Sequence, residues 1–172
     1  GLLAGFAAGS KYTGVLAAFL PAVIPFMGFG QRPKLRLVIT ALALVPIGFV
    51  LVCPFSMLDY SAFVKHFMVE RNHMREGHQG VAIDAWSQWW TYHLRRSLVP
   101  GLGLLPVLLS LFGAVLVVRG NRRFALLVIG ALLLFYLPAE WVKAKPPPQP
   151  ERYVLSCLPF LALLAAPAFD WM

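Results

Sequence analysis

A helix needs about 20 apolar residues to cross the hydrocarbon core of a bilayer, and the chain is built from runs near that length. Five such runs are present, at about 2–27, 35–55, 101–118, 124–142 and 153–172. A backbone at membrane depth must satisfy its own hydrogen bonds, so these runs are expected as helices. The chain is 13% charged, against about 25% in soluble domains. The expected fold is therefore all-α: a polytopic transmembrane helical bundle of about five spans, forming one transmembrane region over 1–172. The first run has no basic leader and is too long for the apolar core of a signal peptide, so it is expected to be a mature span. A start at Gly1 without an initiator Met, and an end just inside an apolar run at "FDWM", read as a piece of a longer chain.

The net charge of +8 comes mainly from short clusters beside the apolar runs, "RPKLR" and "RGNRR". Arg32, Lys34 and Arg36 occupy one short loop and Arg119, Arg122 and Arg123 another, with no acid in either. The positive-inside rule places both loops in the cytoplasm and the long segment 56–100 outside. The basic stretch "WVKAKPPPQPER" counts against this assignment, because it too would lie outside. Cations arranged this way serve membrane topology, and no nucleic-acid partner is expected. Cys53 and Cys157 show no metal or redox spacing and read as packing residues. Pro146–Pro148 should stiffen the link between the last two spans.

Lys11 interrupts the first apolar run, in "GSKYTG". A cation at membrane depth is costly and reads as functional by default. It lies 16 residues before Met27, roughly 24 Å along a continuous helix, which puts it near the outer boundary. Gly9, Ser10, Thr13 and Gly14 are poor helix formers and permit a break there. A lysine snorkelling to the headgroups with no further role fits the same position.

The outer segment begins with an amphipathic stretch, expected as a helix lying in the interface on the outer face. Ser56 and Asp59, after Pro54, have the spacing of a capping box. At 100° per residue, Tyr60, Phe63, Val64, Phe67, Met68 and Met74 share one face. Lys65, His66, Asn72, His73 and Glu76 share the other, and Arg71 falls inside the apolar stripe. His66, Glu70 and His73 stand at i, i+4 and i+7, a spacing open to metal and equally to a solvated polar face. No metal and no cofactor is assigned. His78 sits between glycines in "GHQG", on a turn. Trp86, Trp89, Trp90 and Tyr92 read as an interfacial belt. Under this topology Lys11, Arg71, His73, His78 and Arg152 share one leaflet boundary, which suits a ligand with an anionic head and a lipid tail.

The stretch "GLLAGFAAGSKYTGVLAAFLPAVI" resembles the glycine-rich, lysine-containing helix of GT-C glycosyltransferases of the protein-mannosyltransferase-like superfamily. That superfamily includes the dolichyl-phosphate-mannose protein mannosyltransferases and the aminoarabinose lipid A transferase. "PFSMLDYSAFVKHFMVERNHMREGHQG…WWTYHL" is similar to the outer-face segment of bacterial members, and "RYVLSCLPFLALLAA" to their Arg-Tyr helix. The resemblance implies sugar transfer from a polyprenyl-phosphate donor to a lipid, glycan or protein acceptor, at the outer face of a bacterial inner membrane. It implies Lys11, Arg152 and Tyr153 on the donor phosphate, and Tyr12, Glu70, Arg71, His73 and His78 in substrate positioning. The family's general-base carboxylate lies in an outer loop that nothing here matches, so the catalytic residue is expected upstream. The partners implied are the lipid-linked sugar and membrane lipids. A transporter is the rival reading, since intramembrane charge also marks substrate paths. A non-catalytic lipid-binding protein is the other.

Overall fold

The computed structural model describes residues 1–27, 35–76, 91–141 and 150–171, and among these all regular structure is helical. The longer helices are α1 (Leu2–Ser10), α2 (Leu35–Val52), α3 (Tyr60–Glu76), α4 (Leu104–Gly120), α5 (Arg122–Trp141) and α6 (Leu158–Trp171). They fall into two compact units, Gly1–Val69 and Glu70–Met172.

Among the described residues two helices, α2 and α5, are long and apolar enough to cross a membrane. A third candidate is the pair Leu94–Leu102 and α4, which bends by 104° between its parts. Large apolar side chains stay on the outside of these helices. Leu35 is 62% exposed and Leu51 65% on α2, with Leu105 at 67% on α4 and Leu126 at 67% on α5. A helix that is apolar on its outer face as well as its packed face is matched to lipid, where that face carries no hydration penalty.

In the first unit the expected span 2–27 is not one helix. The chain leaves helical geometry at Lys11 (φ −154°, ψ 128°), continues as a 3₁₀ helix over Tyr12–Ala18, and ends in short turns at Phe19–Val23 and Ile24–Phe26. The 3₁₀ segment folds back on α1, with Gly14 set against the backbone of Ala7 and Ala8. The continuous 24 Å rise reckoned from Met27 therefore does not apply. What fixes the level of Lys11 is the pairing of α1 with α2. Gly1, Gly5 and Gly9 meet Ala41, Val45–Phe49 and Val52 in that order, so the two helices run parallel. Lys11 thus stands at the Val52 end of α2. A Cβ on Gly5 would lie 2.7 Å from the Phe49 amide nitrogen and 2.8 Å from the Cα of Gly48. Only hydrogen fits there, which is how small residues let membrane helices approach.

The start of α3 also differs from expectation. Ser56 is no cap; its hydroxyl donates to the carbonyl of Cys53 at 2.7 Å. Asp59 is the cap, with Oδ1 accepting from the Ala62 amide at 3.1 Å and from the Ser61 hydroxyl at 3.2 Å. A short turn, Phe55–Leu58, precedes it. Asp59→Ala should destabilise this helix start by about 1 kcal/mol, seen as faster amide exchange over residues 60–63 with little change elsewhere. Farther along, Phe63 packs against Phe49 and Tyr12, and Phe67 against Tyr12 at 5.2 Å.

In the second unit α4 and α5 form a tight antiparallel pair. Asn121 joins them and caps α5, its Oδ1 accepting from the Phe124 amide at 3.1 Å. α6 runs parallel to α4. Gly113 sits against the backbone of Leu164, and the Ser110 hydroxyl lies 2.8 Å from the carbonyl of Pro106 and 3.0 Å from that of Leu161. At the start of α4, Gly103 has φ +88°, a conformation glycine adopts without penalty. The sharp bend sits there, and α4 starts three residues later than the expected span at 101.

Candidate functional site

Among the described residues the most deeply buried polar side chains of the second unit are His93, Glu140 and Ser97, on two segments that a third packs beside. Tyr92 and His93 begin a helix that passes through a π-helical turn, Leu94–Leu98. Glu140 lies in the last turn of α5. A 3₁₀ turn, Pro150–Tyr153, packs against the π-helical turn. Between them lies an apolar cluster of Leu98, Val107, Ala139, Val154 and Cys157, with Tyr136 and Tyr153 packed against it.

His93 is fully buried and Glu140 is 1% exposed. The two helix ends that carry them satisfy each other. The His93 amide belongs to the first turn of its helix and has no partner within that helix; it donates to Glu140 Oε1 at 2.8 Å. The carbonyl of Ala139, in the last turn of α5, lies 3.2 Å from His93 Nε2. That carbonyl can only accept, so Nε2 carries a proton. With the ring neutral, Nδ1 then accepts from the Ser97 hydroxyl, 3.0 Å away. The Tyr136 hydroxyl donates to the same Glu140 oxygen at 2.7 Å. Among the described residues every buried side-chain nitrogen and oxygen has a partner. The network locks two helix termini together in an apolar setting, where an unmade bond would be costly.

Tyr153 connects this network to the surface. Its ring centroid lies 6.0 Å from that of His93, and its hydroxyl accepts from Arg152 Nη2 at 3.2 Å. The exposed Arg152 guanidinium is 5.2 Å from the same ring. The bond to Tyr153 is the main cause that raises its pKa above the ordinary arginine value, and the charge of Glu70 acts in the same direction. A permanently charged, oriented fork is suited to phosphate or carboxylate. Arg95 and Arg96 are exposed on the neighbouring π-helical turn, so the two touching segments carry three arginines.

The other residues singled out in the sequence are distributed as follows. Lys11 and Tyr12 belong to the first unit, Lys11 exposed where α1 ends and Tyr12 edge-on to Phe67. Glu70 and Arg71 are exposed on α3 and His73 is half-buried. Arg152 and Tyr153 are in direct contact. His78, Trp86, Trp89 and Trp90 lie outside the described residues. Among the described residues no three of His, Cys, Asp and Glu come together as a metal site would require, His66, Glu70 and His73 included.

His93, Ser97, Tyr136 and Glu140 were not singled out from the sequence. The signal was present for one of them. Glu140 is an acid in the apolar stretch "LLLFYLPAEW", with Tyr136 one turn before it, and an acid in such a run is a site candidate by default. Comparison of the chain with protein-family models, with curated proteins and with solved structures returns no match.

Proposed function

We propose that this chain belongs to a membrane glycosyltransferase of the GT-C, protein-mannosyltransferase-like kind. In this reading it moves a sugar from a polyprenyl-phosphate donor to a lipid, glycan or protein acceptor at the extracytoplasmic face of a bacterial inner membrane. The observation that carries the reading is the Arg152–Tyr153 pair. An exposed guanidinium is oriented by a tyrosine hydroxyl at the start of an apolar helical segment, Leu155–Phe169. A polyprenyl phosphate needs both features together, a cationic fork for its head and apolar helix surface for its tail. The departing phosphate carries more negative charge in the transition state than in the bound donor, so a cation there lowers the barrier. Lys11, in the first unit, is proposed as a donor-phosphate contact on the sequence resemblance alone. Tyr12, Glu70, Arg71, His73 and His78 are assigned to substrate positioning, and no acid of this chain is assigned as the general base.

The proposal keeps all five apolar runs in the membrane, with 2–27 as two segments folded back at Lys11, 153–172 as a broken span beside the three candidates, and α3 in the outer interface. That placement suits α3, which has no buried residue and exposes Met68 and Val69 beside Lys65 and His66. A lipid-binding protein without catalysis would use the same arginine–tyrosine pair and would bind the carrier without transferring sugar.

A radiolabelled-sugar transfer assay on the complete gene product, with polyprenyl-phosphate donors, tests the proposal. Arg152→Ala and Lys11→Ala should each lower transfer about a hundredfold, the scale of losing one donor aimed at developing charge, with helical content unchanged. Full turnover in both variants removes the phosphate clamp. Donor binding without any transfer by the wild type favours the lipid-binding alternative.

A further inference from the structure

A small cavity of about 50 Å³ lies at the beginning of the helix that carries His93, lined by Thr91, Tyr92, Arg95 and Arg96. Two of the four lining residues are arginines, two carry hydroxyls, and none is acidic. The residues from Thr91 to Pro106, "TYHLRRSLVPGLGLLP", contain no acid either. Glu140 is buried, with Oε1 accepting from the His93 amide and the Tyr136 hydroxyl. That network holds the helix start in place and thereby the lining of the cavity. Arginine forks with hydroxyl donors between them match the several acceptor oxygens of a phosphate group.

We propose that Thr91, Tyr92, Arg95 and Arg96 form a phosphate-binding site, in a cavity that the Arg152–Tyr153 pair does not line. The site stands on the cavity and its lining, and it holds whether or not the chain transfers a sugar. A phosphate group reaches such a site either as the head of a membrane phospholipid or as free phosphate.

The test uses the complete gene product in nanodiscs, with two probes. In the first arm, native mass spectrometry measures retained phosphatidic acid against phosphatidylcholine from equimolar nanodiscs. In the second, thermal unfolding in phosphatidylcholine nanodiscs is followed during titration with inorganic phosphate, with chloride as control. A lipid source predicts preferential retention of phosphatidic acid, reduced about tenfold or more in Arg95→Gln/Arg96→Gln, the scale of losing charge-assisted hydrogen bonds. A free-phosphate source predicts a saturable rise in unfolding temperature that the same double variant loses. Arg119→Gln, which alters a basic residue at the far end of α4, should leave both readouts unchanged. Thr91→Val/Tyr92→Phe keeps the charge and should weaken binding severalfold, which gives a second variant should the arginine pair prove necessary for folding. Absence of both preferences in the wild type overturns the proposal. So does binding that Arg95→Gln/Arg96→Gln and Thr91→Val/Tyr92→Phe leave intact.

Discussion

Replacing Glu140 with alanine should destabilise the protein by about 3–5 kcal/mol, the scale of leaving two buried donors unsatisfied beside a new void. The loss has two sources. The His93 amide and the Tyr136 hydroxyl both donate to Glu140 Oε1, and each is left unsatisfied, at about 1–3 kcal/mol apiece. A void also opens beside Ala139 in the apolar cluster. The mechanism makes two finer claims. Glu140→Gln keeps an oxygen at the same position and should recover roughly half of the loss or more. Tyr136→Phe removes one of the two donors, so the double variant Glu140→Ala/Tyr136→Phe should be less destabilised than the two single losses added together. Thermal or denaturant unfolding in detergent micelles measures all four variants against the wild type. If Glu140→Ala unfolds like the wild type, or if the double variant is strictly additive, the reciprocal locking of the two helix ends is not what holds this part of the fold.

The effect on the arginine–tyrosine pair should be indirect. Tyr153 packs against the apolar cluster and its ring lies near that of His93. A loosened His93 therefore frees the Tyr153 ring to move, and with it the guanidinium that its hydroxyl orients.

Helix type and most helix boundaries were legible in the sequence because apolar length reports them directly. The runs expected at 35–55 and 124–142 are α2 and α5, each within about three residues at either end. The run at 2–27 was legible as apolar and not as a fold. Hydropathy is blind to a reversal, and the break falls where Gly9, Ser10, Thr13 and Gly14 cluster. The glycines at 1, 5 and 9 follow a four-residue repeat that marks a close helix pair; that Gly5 meets Gly48 is a matter of tertiary register and could not be read locally. The Asp59 cap was named with the wrong role, since Ser56 and Asp59 both fit a helix start and only the non-helical backbone at Asp59 (φ −131°, ψ 68°) decides between them. The polar network was the least visible part. His93 lies beside a tryptophan-rich segment that reads as an interface. Nothing in a linear pattern says that its amide meets a carboxylate 47 residues away.

Gly113→Ala should be nearly as damaging as Glu140→Ala, although it adds a single methyl group. A Cβ at this position would strike the carbonyl oxygen of Leu164, with the carbonyl carbon 3.0 Å away and the Cα of Ala165 at 3.5 Å. These atoms are backbone, so no rotamer change relieves the contact, and α4 and α6 must separate. Separation also lengthens the reach from the Ser110 hydroxyl to the Leu161 carbonyl, now 3.0 Å. In lipid no hydrophobic force draws the helices back, because lipid tails solvate the exposed surface as well as the partner helix does. The expected cost is about 3 kcal/mol, the upper part of the range for overpacking. Gly120→Ala is the internal control. It lies on the same helix with nothing within 4 Å of an added Cβ, and should be neutral or stabilise by up to about 1 kcal/mol through helix propensity. The two variants differ by the same methyl group from the same parent, so unfolding measured side by side in one detergent isolates the close approach. Equal stability of Gly113→Ala and Gly120→Ala would mean that α4 and α6 are not packed backbone to backbone, and the parallel pairing of the second unit would have to be redrawn.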